Sequence, residues 1–103
     1  MIENPIRLLA VGSVAFDSVR TPFGRADRVV GGSATYFSLA ASYFADVAVV
    51  AVVGEDFREE HFRPFVEKGI DVRQVQRAQG KSFYWAGEYG ANLNEAQPRV
   101  PEL

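Results

Sequence analysis

The chain has 103 residues, 48% hydrophobic and 13% aromatic, with 11 basic and 13 acidic side chains and a formal charge of −2. That size supports one small domain with an adequate core, and that composition excludes a disordered chain. Mixed charge leaves no basic patch for nucleic acid or an anionic membrane surface, and the lack of cysteine excludes disulfides and thiolate metal sites, which fits a reducing compartment.

The start, MIENPIRLLAVGS, is acidic and its apolar run is short, which makes a poor signal peptide and predicts a cytoplasmic protein. Ile6 to Val11 is an apolar run ending in Gly12-Ser13 and reads as a central strand buried on both faces. Val14 to Arg20 continues extended to the turn Thr21-Pro22-Phe23-Gly24, and Arg25 to Val30 returns, so residues 14–30 predict a hairpin leaving the main sheet. Ser33 to Phe44 predicts a helix with Ser33 as its N-cap. Tyr36, Leu39, Ala40 and Tyr43 form one apolar stripe, and Ala34, Phe37, Ala41 and Phe44 form another, which predicts a helix covered on most of its circumference.

Val47 to Val53 is a β-branched run without alternation, the pattern of an interior parallel strand, and with the preceding strand and helix it makes a right-handed βαβ unit. Between Val29 and Val53 the only charge is Asp46, but Gly31, Gly32 and several hydroxyl residues interrupt the run. A membrane span needs about 20 predominantly apolar residues, so two consecutive buried elements fit better. Asp56 reads as the cap of a second helix whose buried face is Phe57, Phe62, Phe65 and Val66, with Pro64 opening a fresh turn and Gly69 closing it. Val72 to Arg77 predicts a short strand. Lys81 to Tyr89 alternates, with Phe83, Trp85 and Tyr89 on one face and Ser82, Tyr84 and Glu88 on the other. From Asn92 onward no element is predicted. The expected architecture is α/β, with a parallel Rossmann-like sheet and crossover helices from residues 6–12 and 32–77, and a small β-flap from 14–30 and 81–90.

The chemistry concentrates around Asp17 and the pair Gly31-Gly32. Adjacent glycines let backbone amides approach a ligand closely. A helix that starts there aims its free N–H groups at the same place, and Asp17 adds a carboxylate acceptor. That set suits a small polyhydroxylated ligand. The substrate-binding candidates are Asp17, Gly31, Gly32, Ser33, Tyr36, Phe83 and Trp85. Each also has a plainer role. Asp17 could form a turn, the glycine pair a tight strand-to-helix connection, Ser33 a cap, Tyr36 half-buried packing, and the Phe83-Trp85-Tyr89 stripe a core face. His61, beside Glu59 and Glu60, reads as solvent-facing, and no metal site or dinucleotide fingerprint is present.

Three segments, GSVAFDSV (Gly12 to Val19), VVGGSATYFSLAA (Val29 to Ala41) and VAVVAVVGEDF (Val47 to Phe57), give the chain its resemblance to the ribokinase-like (PfkB) carbohydrate kinase family. Asp17 matches that family's substrate-binding Asp, Gly31 and Gly32 its helix-opening pair, and Gly54 and Asp56 its Gly-x-Asp turn. Residues 81–89 look like its lid strand. Many members carry Asn where Tyr36 stands.

The resemblance implies an ATP-dependent phosphotransferase, with Mg²⁺, acting on a hydroxymethyl group of a sugar or, alternatively, of a nucleoside. The family's Gly-Ala-Gly-Asp motif, which carries the catalytic base, is not in the sequence, so no catalytic residue is assigned and the ATP-binding part is absent. Asn92-Leu93-Asn94-Glu95 spells the family's metal-associated N-x-x-E, but it directly follows the lid strand and is read as coincidence. The chain is expected to be the N-terminal, acceptor-binding portion of such a kinase, inactive alone. As it stands it could serve as a non-catalytic binding module or a homodimer joined through the lid. Its exposed strand edge makes it prone to association.

Overall fold

A computed structural model describes residues 6–98. Residues 1–5, on which the signal-peptide reading partly rests, and residues 99–103 lie outside the described residues.

Two sheets form. The first holds β1 (Arg7–Val11), β4 (Asp46–Val53) and β5 (Val75–Arg77), in the order β1-β4-β5 and parallel throughout. The second holds β2 (Ala15–Thr21), β3 (Gly24–Gly31), β6 (Tyr84–Tyr89) and β7 (Ala96–Pro98), in the order β3-β2-β6-β7. β2 and β3 are the predicted hairpin, whereas β2 and β6 run parallel, so the end of the chain zips onto its beginning. One α-helix, α1 (Ser33–Ala41), carries the chain from the flap back to β4. A 3-10 turn (Glu59–Phe62) and α2 (Arg63–Glu67) follow β4.

β4 is the middle strand of its sheet, as its β-branched run predicts. Val47, Val49, Ala51 and Val53 are buried and form one continuous cluster with Phe16, Phe57, Phe65 and Ile70. Pro64 sits in the first turn of α2, where its missing N–H costs nothing, and Gly69 turns left-handed just past the end. Of the predicted buried face, Phe57 and Phe65 are fully buried and Phe62 packs against the cluster, but Val66 is exposed.

Several expectations are overturned. Among the described residues β1 stands at the edge of its sheet rather than at its centre. Only Ala10 is buried, while Leu9 is 63% and Val11 72% exposed, because α1 covers one part of its face and β4 is its sole sheet neighbour among the described residues. Helix α1 ends at Ala41 rather than Phe44, and it is not wrapped on both stripes. Its small residues Ala34, Thr35 and Ser38 are buried, leaving Tyr36, Phe37, Tyr43 and Phe44 exposed.

Asp56 caps no helix, since the 3-10 turn starts three residues later. It accepts the Ser82 backbone N–H at 2.8 Å instead. The strand expected over Val72 to Arg77 shortens to β5, and that over Lys81 to Tyr89 begins only at Tyr84. A strand unseen in the sequence, β7, pairs antiparallel with β6 after a turn over Asn92–Glu95. His61 is not fully solvent-facing: its ring packs edge-on against Phe16 at 4.9 Å, and its Nδ1 accepts the Arg58 N–H.

The two sheets are clipped together at Gly54. Its N–H donates to the buried Ser82 Oγ at 2.8 Å, and a Cβ at Gly54 would overlap the backbone of Lys81 and Ser82. Gly54→Ala and Ser82→Ala are each expected to lower stability by about 1–3 kcal/mol, the former by overpacking and the latter by orphaning a buried N–H. Thermal unfolding checks this, at roughly 4–8 °C of Tm per kcal/mol for a domain of this length.

Candidate functional site

Alternation along β2 builds the site. Phe16 points into the core, where it stacks near Phe57 (centroids 5.4 Å apart) and His61. Ala15 and Asp17 must then point to the opposite face. Ala15 is the register partner of Gly31, so on that face the Asp17 carboxylate leans across the bare Gly31 backbone. A Cβ at Gly31 would fall inside the carboxylate, and its position lies 3.1 Å from the Tyr36 hydroxyl. Tyr36, in the first turn of α1, donates its O–H to Asp17 Oδ2 at 3.4 Å. Burial, then the adjacent Asp17 charge and this hydrogen bond, push the phenol above its ordinary value of 10.0. Three sequence-predicted residues therefore meet: a carboxylate, a phenol and, buried beneath them, the main chain of Gly31.

The other candidates lie apart from that meeting point. Gly32 faces the other way, with φ +90°, and its Cβ position lies 2.6 Å from the Ser13 carbonyl oxygen. Gly32, not Ser33, occupies the N-cap position of α1, and no side chain of the helix itself caps it. The capping comes from Ser13, which sequence reading missed. Its Oγ accepts the Ser33 N–H at 3.0 Å, and its carbonyl accepts the Ala34 N–H at 2.9 Å. The Ser33 Oγ lies 3.1 Å from the Ser13 Oγ. Those helix N–H groups are thus committed within the protein rather than offered to a guest. The signal for Ser13 was present as a hydroxyl residue directly after the strand, but its partner lies 20 residues away.

Trp85 is the register neighbour of Asp17 in β6 and shares its face. Its indole, however, lies along its own strand over Gly87, where a Cβ would overlap the ring. Phe83 is 37% exposed, and its carbonyl accepts the Phe16 N–H, which begins the β2–β6 pairing.

On the reverse face, β3 carries a bulge opposite Ser18, and Arg28 there adopts φ +50°. Its N–H donates to Ser18 Oγ, and Ser18 Oγ also accepts the Tyr84 hydroxyl. The bulge turns the Arg28 guanidinium over the Phe16 ring, 4.7 Å from its centroid, and into an ion pair with Asp56 at 3.2 Å. A concavity of about 280 Å³ opens there, lined by Phe16, Arg28, Asp56, Arg58, Glu60 and His61. This mixed-charge hollow anchors the flap to the core, and the Asp17 surface lies on the opposite side of β2.

No family model and no curated protein matches the sequence. Solved structures do match in fold. A ribokinase from Cryptococcus neoformans in complex with ADP superimposes with a TM-score of 0.70 at 16% identity, covering 93% of this chain and 34% of that one. A Burkholderia thailandensis nucleoside kinase in complex with inosine gives 0.72 at 16% identity, covering 91% and 35%. A fructokinase from Xylella fastidiosa gives 0.71 at 20% identity, covering 90% and 32%. The chain has the ribokinase-like fold. It spans about a third of the length of the ribokinase-like kinases it matches. Among the described residues no helix is long and apolar enough to cross a membrane.

Two outcomes test the site as built. Burial raises the Asp56 carboxyl, but hydrogen bonds from Ser82 and the Arg28 charge outweigh it and hold the group below its ordinary 3.8. The unfolded chain therefore takes up this proton first as pH falls. Asp56 contributes its stability fully above that ordinary value and loses it as pH drops through the depressed one. Acid titration monitored by circular dichroism should show a shallower loss of stability below about pH 4 for Asp56→Asn than for the parent chain. Gly31→Ala displaces a mobile carboxylate rather than backbone. It should shift Tm by less than about 4 °C yet weaken polyol binding roughly tenfold or more, by calorimetry.

Proposed function

We propose that the Asp17–Gly31–Tyr36 surface is the acceptor floor of an ATP-dependent kinase that phosphorylates a hydroxymethyl group of a carbohydrate. The observation that carries this reading is the placement of the Asp17 carboxylate against main chain that only glycine leaves open. An ionised carboxylate is acceptor-only and holds ligand hydroxyls by charge-assisted bonds. Asp17 and Gly31 belong to the flap sheet itself and Tyr36 to α1, so the acceptor would lie where flap and helix meet and be shielded there from water. The likeness to ribokinase, fructokinase and nucleoside kinase structures supports a hydroxyl acceptor. A nucleoside as acceptor is the alternative within the same reading.

The described residues do not themselves fit a nucleotide or its metal. The first amides of α1 are taken by Ser13, and no group of three or more His, Asp or Glu side chains is placed to hold a cation among the described residues. In this chain Asp17 would hold and orient the acceptor, Gly31 would leave room for that carboxylate, and Trp85, the register neighbour of Asp17 on the same face, would supply apolar surface. No proton transfer or phosphoryl step is assigned to its residues.

The 103-residue chain incubated with ATP, Mg²⁺ and D-ribose, D-fructose or inosine is expected to give no phosphorylated product while binding at least one of these by calorimetry. In an intact kinase carrying this segment, Asp17→Ala should raise KM and lower kcat/KM by roughly a hundredfold, the cost of losing hydrogen bonds to a charged group. Near-parental kinetics for that variant would remove Asp17 from the site, and product formation by the chain alone would overturn its assignment as a binding portion.

A further inference from the structure

We propose that Tyr36 is a specificity-determining gate, whose phenol rests on the Asp17 carboxylate in the place an acceptor hydroxyl would take, so that a guest binds by displacing it. This rests on Asp17 being the acceptor's partner. Four features of the site carry it. The phenol oxygen lies 3.1 Å from the point where a Gly31 Cβ would stand, and that same point falls within the carboxylate. The carboxylate therefore occupies the space that the glycine leaves, and the phenol covers it.

Second, a phenol O–H and an alcohol O–H are equivalent donors to an acceptor-only carboxylate, so the two compete for Oδ2. Third, the contact is weak. Its 3.4 Å length exceeds the roughly 2.5–3.0 Å of well-formed O–H···O bonds, so a better-placed hydroxyl can take its place at the cost of one modest hydrogen bond. Fourth, Tyr36 is 55% exposed, and α1 packs through Ala34, Thr35 and Ser38 with Leu39 and Ala41 beside them. The ring can swing into solvent about its own χ1 without opening the core.

A gate of this kind sets a threshold. A guest must offer Asp17 a better hydroxyl than the phenol already does, and the displaced ring then provides an apolar wall beside it. Weak or singly hydroxylated molecules are turned away by a competitor built into the protein.

The test is Tyr36→Phe, which keeps the ring and removes the donor. Calorimetric titration of the chain with D-ribose, D-fructose and inosine should show the variant binding at least one probe about three- to tenfold more tightly than the parent, the worth of one displaced hydrogen bond. Equal or weaker binding by the variant, or no binding by either protein, overturns the gate. A second measurement uses ring-labelled tyrosine and NMR. The Tyr36 resonance should move on addition of the bound probe and also in Asp17→Asn. A resonance indifferent to Asp17→Asn overturns the contact itself.

The two readings fail differently. If Asp17→Asn weakens binding while Tyr36→Phe does not strengthen it, the floor stands and the gate falls. If Asp17→Asn leaves the affinity of Tyr36→Phe unchanged, the floor falls.

Discussion

A β-strand cannot send two successive side chains to one face, and β2 turns that constraint into a site. Phe16 is held in the core by Phe57, by the edge of His61 and by the Arg28 guanidinium stacked over it. With Phe16 fixed inward, Asp17 is fixed outward, onto Gly31. The strand cannot slip by one residue without burying a carboxylate among phenylalanines and exposing an aromatic ring. Pairing with β3 on one side and β6 on the other holds that register from both edges.

The flap depends on the same strand. β6 joins β2 in parallel, which needs a long connection, and the chain between them passes through α1, β4, α2 and β5. The core is thus folded inside the loop that the flap closes. Two polar clips hold the halves together, Gly54 with Ser82 and Arg28 with Asp56. Both lie on the face of β2 away from Asp17, so the acceptor surface is left to open chemistry while its reverse side supplies the anchorage. The positive φ at Arg28 belongs to this arrangement, because the bulge is what aims its guanidinium at Asp56.

Legibility in the sequence followed the range of the interactions. The hairpin at Thr21–Gly24, the Pro64 start and Gly69 stop of α2, and the β-branched run of β4 depend on neighbours in sequence, and their residue types announce them. The convergence of Asp17 and Gly31 was legible through the glycine pair that opens a helix and through the resemblance of three segments. β7 was not legible, because Ala96–Pro98 has no strand character of its own and forms only where β6 offers an edge. Apolar stripes on α1 overstated its burial for a related reason: periodicity marks a surface able to be covered, and within α1 Ala34, Thr35 and Ser38 are buried and Leu39 and Ala41 only partly so.

What the sequence by itself determined was the menu: an α/β chain with a hairpin, a glycine-opened helix, a buried central strand and a carboxylate near bare backbone. Only the tertiary structure decided how these were spent. It gave the cap of α1 to Ser13, turned Gly32 away from Asp17, laid Trp85 over Gly87, moved Asp56 from helix cap to the Arg28–Ser82 clip, and set the Tyr36 phenol on the carboxylate. Each of those outcomes joins residues from two to 28 positions apart, and for the distant pairs the deciding quantity is the direction of a side chain from its own strand or helix. Composition and spacing carry no information about that direction until the strands have paired.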